Sequence, residues 1–117
     1  MGNTEQYEAE YLSFLVSLHD RPGFYIGIPS LEKLFIFMAG YEVAIYKLTG
    51  YRVRLQHNLY DFLCTKILKY DPNSSLFQII QDKKSDKESF DYFFHVLNLY
   101  KEQINRGTVK VNQGTVL

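Results

Sequence analysis

Tryptophan is absent from this sequence, and it contains only one cysteine and three histidines. A lone cysteine, Cys64, excludes an intramolecular disulfide, and its place within an apolar helical pattern predicts a buried thiol. A zinc site needs Cys and His side chains clustered at short spacing. The three histidines (His19, His57 and His95) lie on different predicted elements. We therefore predict no metal and no cofactor.

Long apolar runs are missing as well. The longest one, residues 34–40, is far too short to span a bilayer. The N-terminal segment MGNTEQYEAEY has neither the basic region nor the apolar core of a signal peptide. Together these features predict a cytoplasmic protein that does not bind membranes.

Net charge is also lacking, because thirteen basic residues balance thirteen acidic ones. No global field therefore favours a nucleic acid. The charges are nevertheless unevenly spread, since residues 21–70 contain seven basic and three acidic residues. Residues 1–20 contain no basic residue and four acidic ones, Glu5, Glu8, Glu10 and Asp20. This division suits a charge-complementary protein partner better than a polyanion.

Apolar and aromatic residues are plentiful, at 46% of the chain with ten Tyr and nine Phe. A chain of 117 residues is the length of one domain. At this size about two-thirds of the unfolded surface becomes buried on folding, which is enough for a self-sufficient core.

Apolar residues recur three and four positions apart, which predicts helices throughout the chain. A first helix is capped by Asn3 or Thr4 and ends by Arg21, before the helix-breaking Pro22. Loop chemistry follows in residues 20–29, where four apolar residues between glycines and prolines predict a loop tucked against the core.

A second helix is predicted from its cap, Ser30, to about Leu48, with an inward stripe that includes Leu48 itself. Gly40 lies inside it, which suggests a closely packed neighbour. Three more helices are predicted, a third one over residues 59–70, a short fourth one over residues 73–83, and a fifth one over residues 85–106. The fifth begins with a capping box, Ser85 to Glu88.

We therefore predict an all-α fold, a compact antiparallel bundle of about five helices. Residues 1–107 form a single helical domain and residues 108–117 a C-terminal tail. A minor short strand is possible near Tyr51 or in the tail, where apolar and polar residues alternate.

Catalytic patterns are sparse. Asp91 and His95 are four residues apart on one helix face, with Glu88 one turn earlier, and such a set can orient a catalytic base or bind a metal. We interpret it as the solvated flank of an apolar stripe. The sequence predicts no catalytic residues, and therefore a protein that is not an enzyme.

A basic group offers a different hypothesis. Arg52, Arg54, Lys66 and Lys69 are interleaved with Tyr51 and Tyr60 in the third quarter of the chain. Such a group is typical of an ordinary solvated face, and a pI near 6.8 is low for a nucleic-acid footprint. A small nucleic-acid-binding or regulatory module is the alternative function.

Several segments resemble a family of small bacterial proteins. They are Arg21-Pro22-Gly23-Phe24-Tyr25-Ile26-Gly27, then Ser30-Leu31-Glu32-Lys33-Leu34, Gly40-Tyr41, and downstream Phe62, residues 76–80 and residues 90–94. Over residues 10–105 the chain is similar to immunity proteins of toxin–immunity systems, including contact-dependent growth inhibition and polymorphic toxins. It departs from the family pattern at Phe24, where Met is expected, and at Leu76-Phe77, where a Trp is expected.

The resemblance implies a protein that binds and neutralises a cognate bacterial toxin C-terminal domain, such as a nuclease. Nuclease toxins are commonly basic, so Glu5, Glu8, Glu10 and Asp20 are the candidate toxin-binding residues. The same acidic residues also suit the N-terminal end of a helix dipole, and this alternative stays open.

The motif of the resemblance is expected to be structural, a buried corner formed by Arg21, Pro22, Gly23, Tyr25 and Gly27. Gly23 and Gly27 are expected to supply backbone angles that other residues resist. Whether the toxin is blocked at its active site or beside it is not decided by the sequence.

Overall fold

The computed structural model describes residues 4–69, 73–82, 84–109 and 111. This part of the chain is all-α, which confirms the predicted fold class. It contains α1 (Thr4–Leu18), α2 (Pro22–Tyr25), α3 (Leu31–Thr49), α4 (Leu55–Phe62), a π-helical segment (Leu63–Ile67), α5 (Leu76–Gln81) and α6 (Asp86–Asn105).

The strand considered near Tyr51 is reduced to an isolated β-bridge at that residue, and no strand occurs in the described ranges. In the tail, Thr108, Val109 and Val111 are not helical, and the other tail positions lie outside the described residues. None of the described helices has the length and apolarity that a bilayer crossing requires.

Serine caps begin the helices that the sequence predicted most clearly. Ser30 Oγ accepts a hydrogen bond from the Lys33 N–H at 3.2 Å, at the start of α3. At α6 the predicted capping box is confirmed, because Ser85 Oγ accepts from the Glu88 N–H and the Glu88 carboxylate accepts from the Ser85 N–H. Gly50 ends α3 with a φ of +77°. These caps set the bounds of the two longest helices.

Helix α6 is the centre of the fold and packs against α1, α3, α4 and α5. Because its apolar residues recur on one side, the helix turns a broad aromatic face to the core. Its buried residues are Ser89, Phe90, Phe93, Phe94, Val96, Leu97 and Tyr100.

Helices α1 and α6 run antiparallel. The His19 ring, just after α1, stacks on Phe94 with centroids 4.4 Å apart, while Glu8 and Tyr100 face one cavity nearer the other end. Helices α3 and α6 begin side by side, because Asp86 Oδ1 accepts a hydrogen bond from the Leu31 N–H at 3.1 Å. This contact joins the starts of the two helices across 55 residues of sequence.

The segment predicted as a tucked loop is different in the structure. Pro22 starts the one-turn helix α2, which has no buried residue, so the expected burial is wrong for these four residues. Ile26, directly after α2, is half-buried and packs against the core, as expected of a tucked segment. Gly27 has a φ of +89°, as expected of a glycine used for its backbone angle. Gly23 lies inside α2 without such an angle and with open space around it, so the prediction is wrong for Gly23.

Two other predictions need correction. The third helix does not continue regularly to residue 70, because α4 ends at Phe62 and gives way to the π-helical segment, in which Cys64 is buried as predicted. Apart from the adjacent residues and the backbone of its own helix, Gly40 has no atom within 4 Å of the place of a Cβ, so it does not mark a close helix contact.

Candidate protein-binding surface

Helix α3 is apolar around most of its circumference. Thirteen of its nineteen residues are aliphatic or aromatic, yet only Leu31, Leu34 and Met38 are fully buried. A helix that is hydrophobic on all sides is normally enclosed by other elements. Here the fold covers one side of the helix and leaves the rest at the surface.

Large apolar side chains are therefore exposed along α3. Leu48 is 86% exposed, Ile36 67% and Val43 53%. The prediction that Leu48 faces the core is wrong, because Leu48 lies at the rim of a groove between α1 and α3. Leu48 does belong to the apolar stripe that the periodicity indicates, but the core covers only part of this stripe and leaves Leu48 exposed.

A depression of about 380 Å³ lies where α2 meets the first half of α3. Tyr25 and Ile26 line it from the α2 side, and Ile36, Phe37 and Lys33 line it from α3. The neighbouring ring of Phe24 is 79% exposed and lies 4.9 Å from the Tyr25 ring. The segment expected to be a buried corner thus presents aromatic surface.

A second depression, of about 300 Å³, separates α1 from the second half of α3. Its walls include Tyr7, Glu10 and Tyr11 from α1, and Tyr41 and Leu48 from α3. Tyr11 donates a hydrogen bond to Glu42 Oε2 at 2.6 Å, which fixes the groove wall.

Stacked and edge-on rings join the two depressions. The Tyr25 and Phe37 centroids are 6.2 Å apart, and the Phe37 and Tyr41 centroids 6.1 Å. We call the combined surface the α3 strip. It comprises Tyr25, Ile36, Phe37, Tyr41 and Leu48.

The four acidic residues predicted to bind a toxin do not lie on one surface. Glu5, Glu10 and Asp20 are exposed, whereas Glu8 is buried. Glu10 borders the α1 side of the α3 strip. The expectation is therefore wrong for Glu8 as an exposed charge, and it stays a prediction for the other three.

Glu8 lies in a polar cluster inside the fold. Its Oε2 accepts hydrogen bonds from the Tyr51 hydroxyl and, at 2.9 Å, from the Arg54 N–H. Burial raises the pKa of this carboxyl, against these two hydrogen bonds, and the charge of Glu42 raises it further. One signal in the sequence does indicate burial, since Glu8 precedes Leu12 and Leu15 at helical spacing.

The Asp91 carboxylate pairs with residues other than His95. It contacts Lys87 Nζ at 2.9 Å and the His19 imidazole at 3.6 Å. The hydrogen bond from Lys87 lowers the pKa of Asp91. No ion pair between Asp91 and the exposed His95 is present in the described ranges, and these ranges hold no group of three His, Cys, Asp or Glu able to bind a metal.

The basic residues considered for nucleic-acid binding have separate surroundings. The Arg52 guanidinium lies 4.0 Å above the Tyr46 ring. Lys66 is exposed on the π-helical segment and Lys69 is exposed after it.

In comparisons with protein-family models, curated proteins and solved structures, nothing matches this chain.

Proposed function

We propose that this protein is an immunity protein, which binds one cognate bacterial toxin domain through the α3 strip and neutralises it. The observation that carries the protein-binding part is the exposure of Ile36 and Leu48 on a helix with three buried residues. The class of partner comes from the resemblance of the motif segments to toxin–immunity proteins.

The physical properties of the α3 strip support a protein partner. Contiguous exposed apolar surface is characteristic of protein–protein interaction sites. Tyrosine and phenylalanine anchors are enriched at the centres of interfaces, where they are desolvated on binding. A specific interface covers about 800 Å² of each partner, which is roughly a ninth of the 7118 Å² surface of this chain.

Charge around the α3 strip supports a partner with a basic group. Glu10 lies on the α1 side, where Gln6 Nε2 donates to its Oε1 at 2.7 Å and holds the carboxylate beside the groove. Electrostatic complementarity of this kind speeds association and sets the register of the bound partner. Glu5 lines the cavity on the other side of α1, and Asp20 lies beyond the end of α1, so neither belongs to the strip.

We expect a neighbouring gene to encode a toxin with a variable C-terminal domain, and the test is co-expression of that domain with this protein. Cells that express the toxin domain must survive only when this protein is present, and the two chains must co-purify in a fixed ratio. Death with and without the protein, and no complex, would refute the proposal.

Variants locate the interface. Ile36→Lys together with Leu48→Lys places two positive charges on the α3 strip, which we expect to weaken binding of a partner with a basic group by more than a hundredfold and to abolish protection. His95→Lys is the control, because it adds a positive charge to an exposed position of α6. Equal loss in the control, or full protection by the double variant, would rule out the α3 strip as the contact.

A further inference from the structure

On the opposite side of α1 from the α3 strip, the fold forms a cavity of about 430 Å³ that is partly open to solvent. Leu12, Leu55 and Ile104 form apolar walls from α1, α4 and α6. The volume falls within the range of small-molecule sites, which are mostly apolar with a few convergent polar groups.

The polar groups of this cavity are acidic or hydroxylic. Glu8 and Tyr100 line the interior, Glu5 lines it from an exposed position, and no basic side chain is among the described lining residues. A site with this composition selects against anions and favours a ligand that donates hydrogen bonds or carries positive charge.

Glu8 provides the decisive feature. Its side chain is 5% exposed, and Oε2 is occupied by Tyr51 and Arg54. The other oxygen, Oε1, is buried and has no hydrogen-bond donor in the described part of the chain. Leaving a carboxylate oxygen buried and unsatisfied is costly, so a donor that reached Oε1 from the cavity would be bound favourably.

The electrostatics at Tyr100 agree with this arrangement. Burial, and next the charge of Glu8, raise the pKa of the Tyr100 hydroxyl to about 12, although the neighbouring Asn58 acts in the opposite direction. The part of this shift that comes from Glu8 indicates that the charge of Glu8 acts at the cavity wall formed by Tyr100.

We infer that this cavity is a binding site for a small primary amine with an apolar body, whose ammonium group donates to Glu8 Oε1 while its hydrocarbon part packs on Leu12, Leu55 and Ile104. An alkylammonium ion of about six carbons matches a site that has one charged end and apolar walls. The site is separate from the α3 strip, so it does not depend on the proposed function.

The experiment titrates hexylamine into the full chain at pH 7 and follows backbone amide signals by NMR. We expect saturable shifts at the cavity residues, with a Kd on the order of 1 mM for seven heavy atoms. Hexan-1-ol, which has the same length but no charge, should bind at least tenfold more weakly. No saturable shift with hexylamine, or equal binding of the alcohol, would overturn the inference.

Two variants connect the binding to the cavity. Glu8→Gln keeps an acceptor for Tyr51 and Arg54 but removes the charge, and it should weaken hexylamine binding at least tenfold. Ala9→Phe fills the mouth of the cavity from an exposed position of α1 and should abolish binding, whereas Ala39→Phe, the same change on an exposed position of α3, should not.

Should Glu8→Gln fail to fold, the pair Ala9→Phe and Ala39→Phe still decides the question. Unchanged hexylamine binding in a folded Ala9→Phe protein would place the amine elsewhere and refute the site.

Discussion

Helices α3 and α6 have nearly the same length, nineteen and twenty residues, but they use their apolar side chains differently. Helix α6 buries seven residues and contacts four other helices, while α3 buries three and leaves Ile36 and Leu48 in solvent. Amphipathicity explains the distribution of apolar residues on α6, because they face the core while the polar side of the helix faces water. The exposed side chains of Ile36, Val43 and Leu48 are not needed for the part of α3 in the core, which is why we attribute them to binding.

The strongest test of this contrast is truncation of one large side chain on each helix. Phe94→Ala removes a ring that is fully buried in α6, so we expect the free energy of unfolding to fall by about 3–5 kcal/mol. Leu48→Ala on α3 should change it by less than about 0.5 kcal/mol. Urea denaturation measures both values, and a cost above about 2 kcal/mol for Leu48→Ala would show that α3 is a core helix throughout.

The caps of the two helices offer a second comparison. Ser30 is buried, whereas Ser85 is exposed and water can replace its lost hydrogen bonds. We expect Ser30→Ala to lower the free energy of unfolding by about 2 kcal/mol and Ser85→Ala by about 1 kcal/mol. Thermal and urea unfolding of the two variants should give this order, and the reverse order would contradict the assigned role of burial.

Gly40 tests whether a partner approaches the backbone of α3. It is exposed in mid-helix with open space at the Cβ position, and α6 contains no glycine. Gly40→Ala should raise the free energy of unfolding by about 0.5–1 kcal/mol through helix propensity. A gain in stability together with weaker binding of the proposed toxin partner would mean that the partner backbone approaches at this point. A loss of stability would contradict the open surroundings described for Gly40.

The smallest expected effect depends on pH and involves Glu8. The charge of Glu42 in α3 raises the pKa of Glu8, and Glu8 lines a cavity together with Tyr100 of α6. The pKa of Glu8 is raised above 4.5 in the folded state, so the folded protein retains the proton longer than the unfolded chain. The stabilisation that protonated Glu8 contributes is therefore complete below pH 4.5, and it is lost as the pH rises through the folded pKa.

Glu8→Gln tests this sign. We expect the unfolding free energy of the variant, relative to the unmodified protein, to increase as the pH is raised from 4.5 toward neutrality. Glu5→Gln, at an exposed position on the same helix, is the control and should show no such trend. A relative stability that decreased with pH would mean that hydrogen bonding to Tyr51 and Arg54 outweighs desolvation.

The elements that were predictable from the sequence are those for which local and tertiary preferences agree. Ser85 and Glu88 form the expected capping box, and the Phe-rich stripe of α6 is buried as its spacing indicates. In α1, Tyr11, Leu15 and Leu18 are likewise buried where the periodicity places them.

The remaining features depend on which neighbour covers each face, which periodicity does not report. Leu48 continues an apolar stripe beyond its cover, and Glu8 is enclosed because Tyr51 and Arg54, more than forty residues away, reach its carboxylate. The one-turn helix α2 is not apparent from the sequence because Pro22 and Gly23 are typical of loops, although proline is also favoured in the first turn of a helix.

The burial of Cys64 within the π-helical segment gives this molecule a built-in kinetic reporter. It is the chain's single thiol, so a chemical reagent that labels thiols modifies the protein at one known position. Because a buried thiol is shielded until its surroundings open, the labelling rate measures how often this segment opens. Comparison of that rate with the rate of global unfolding distinguishes local fraying after α4 from loss of the whole fold.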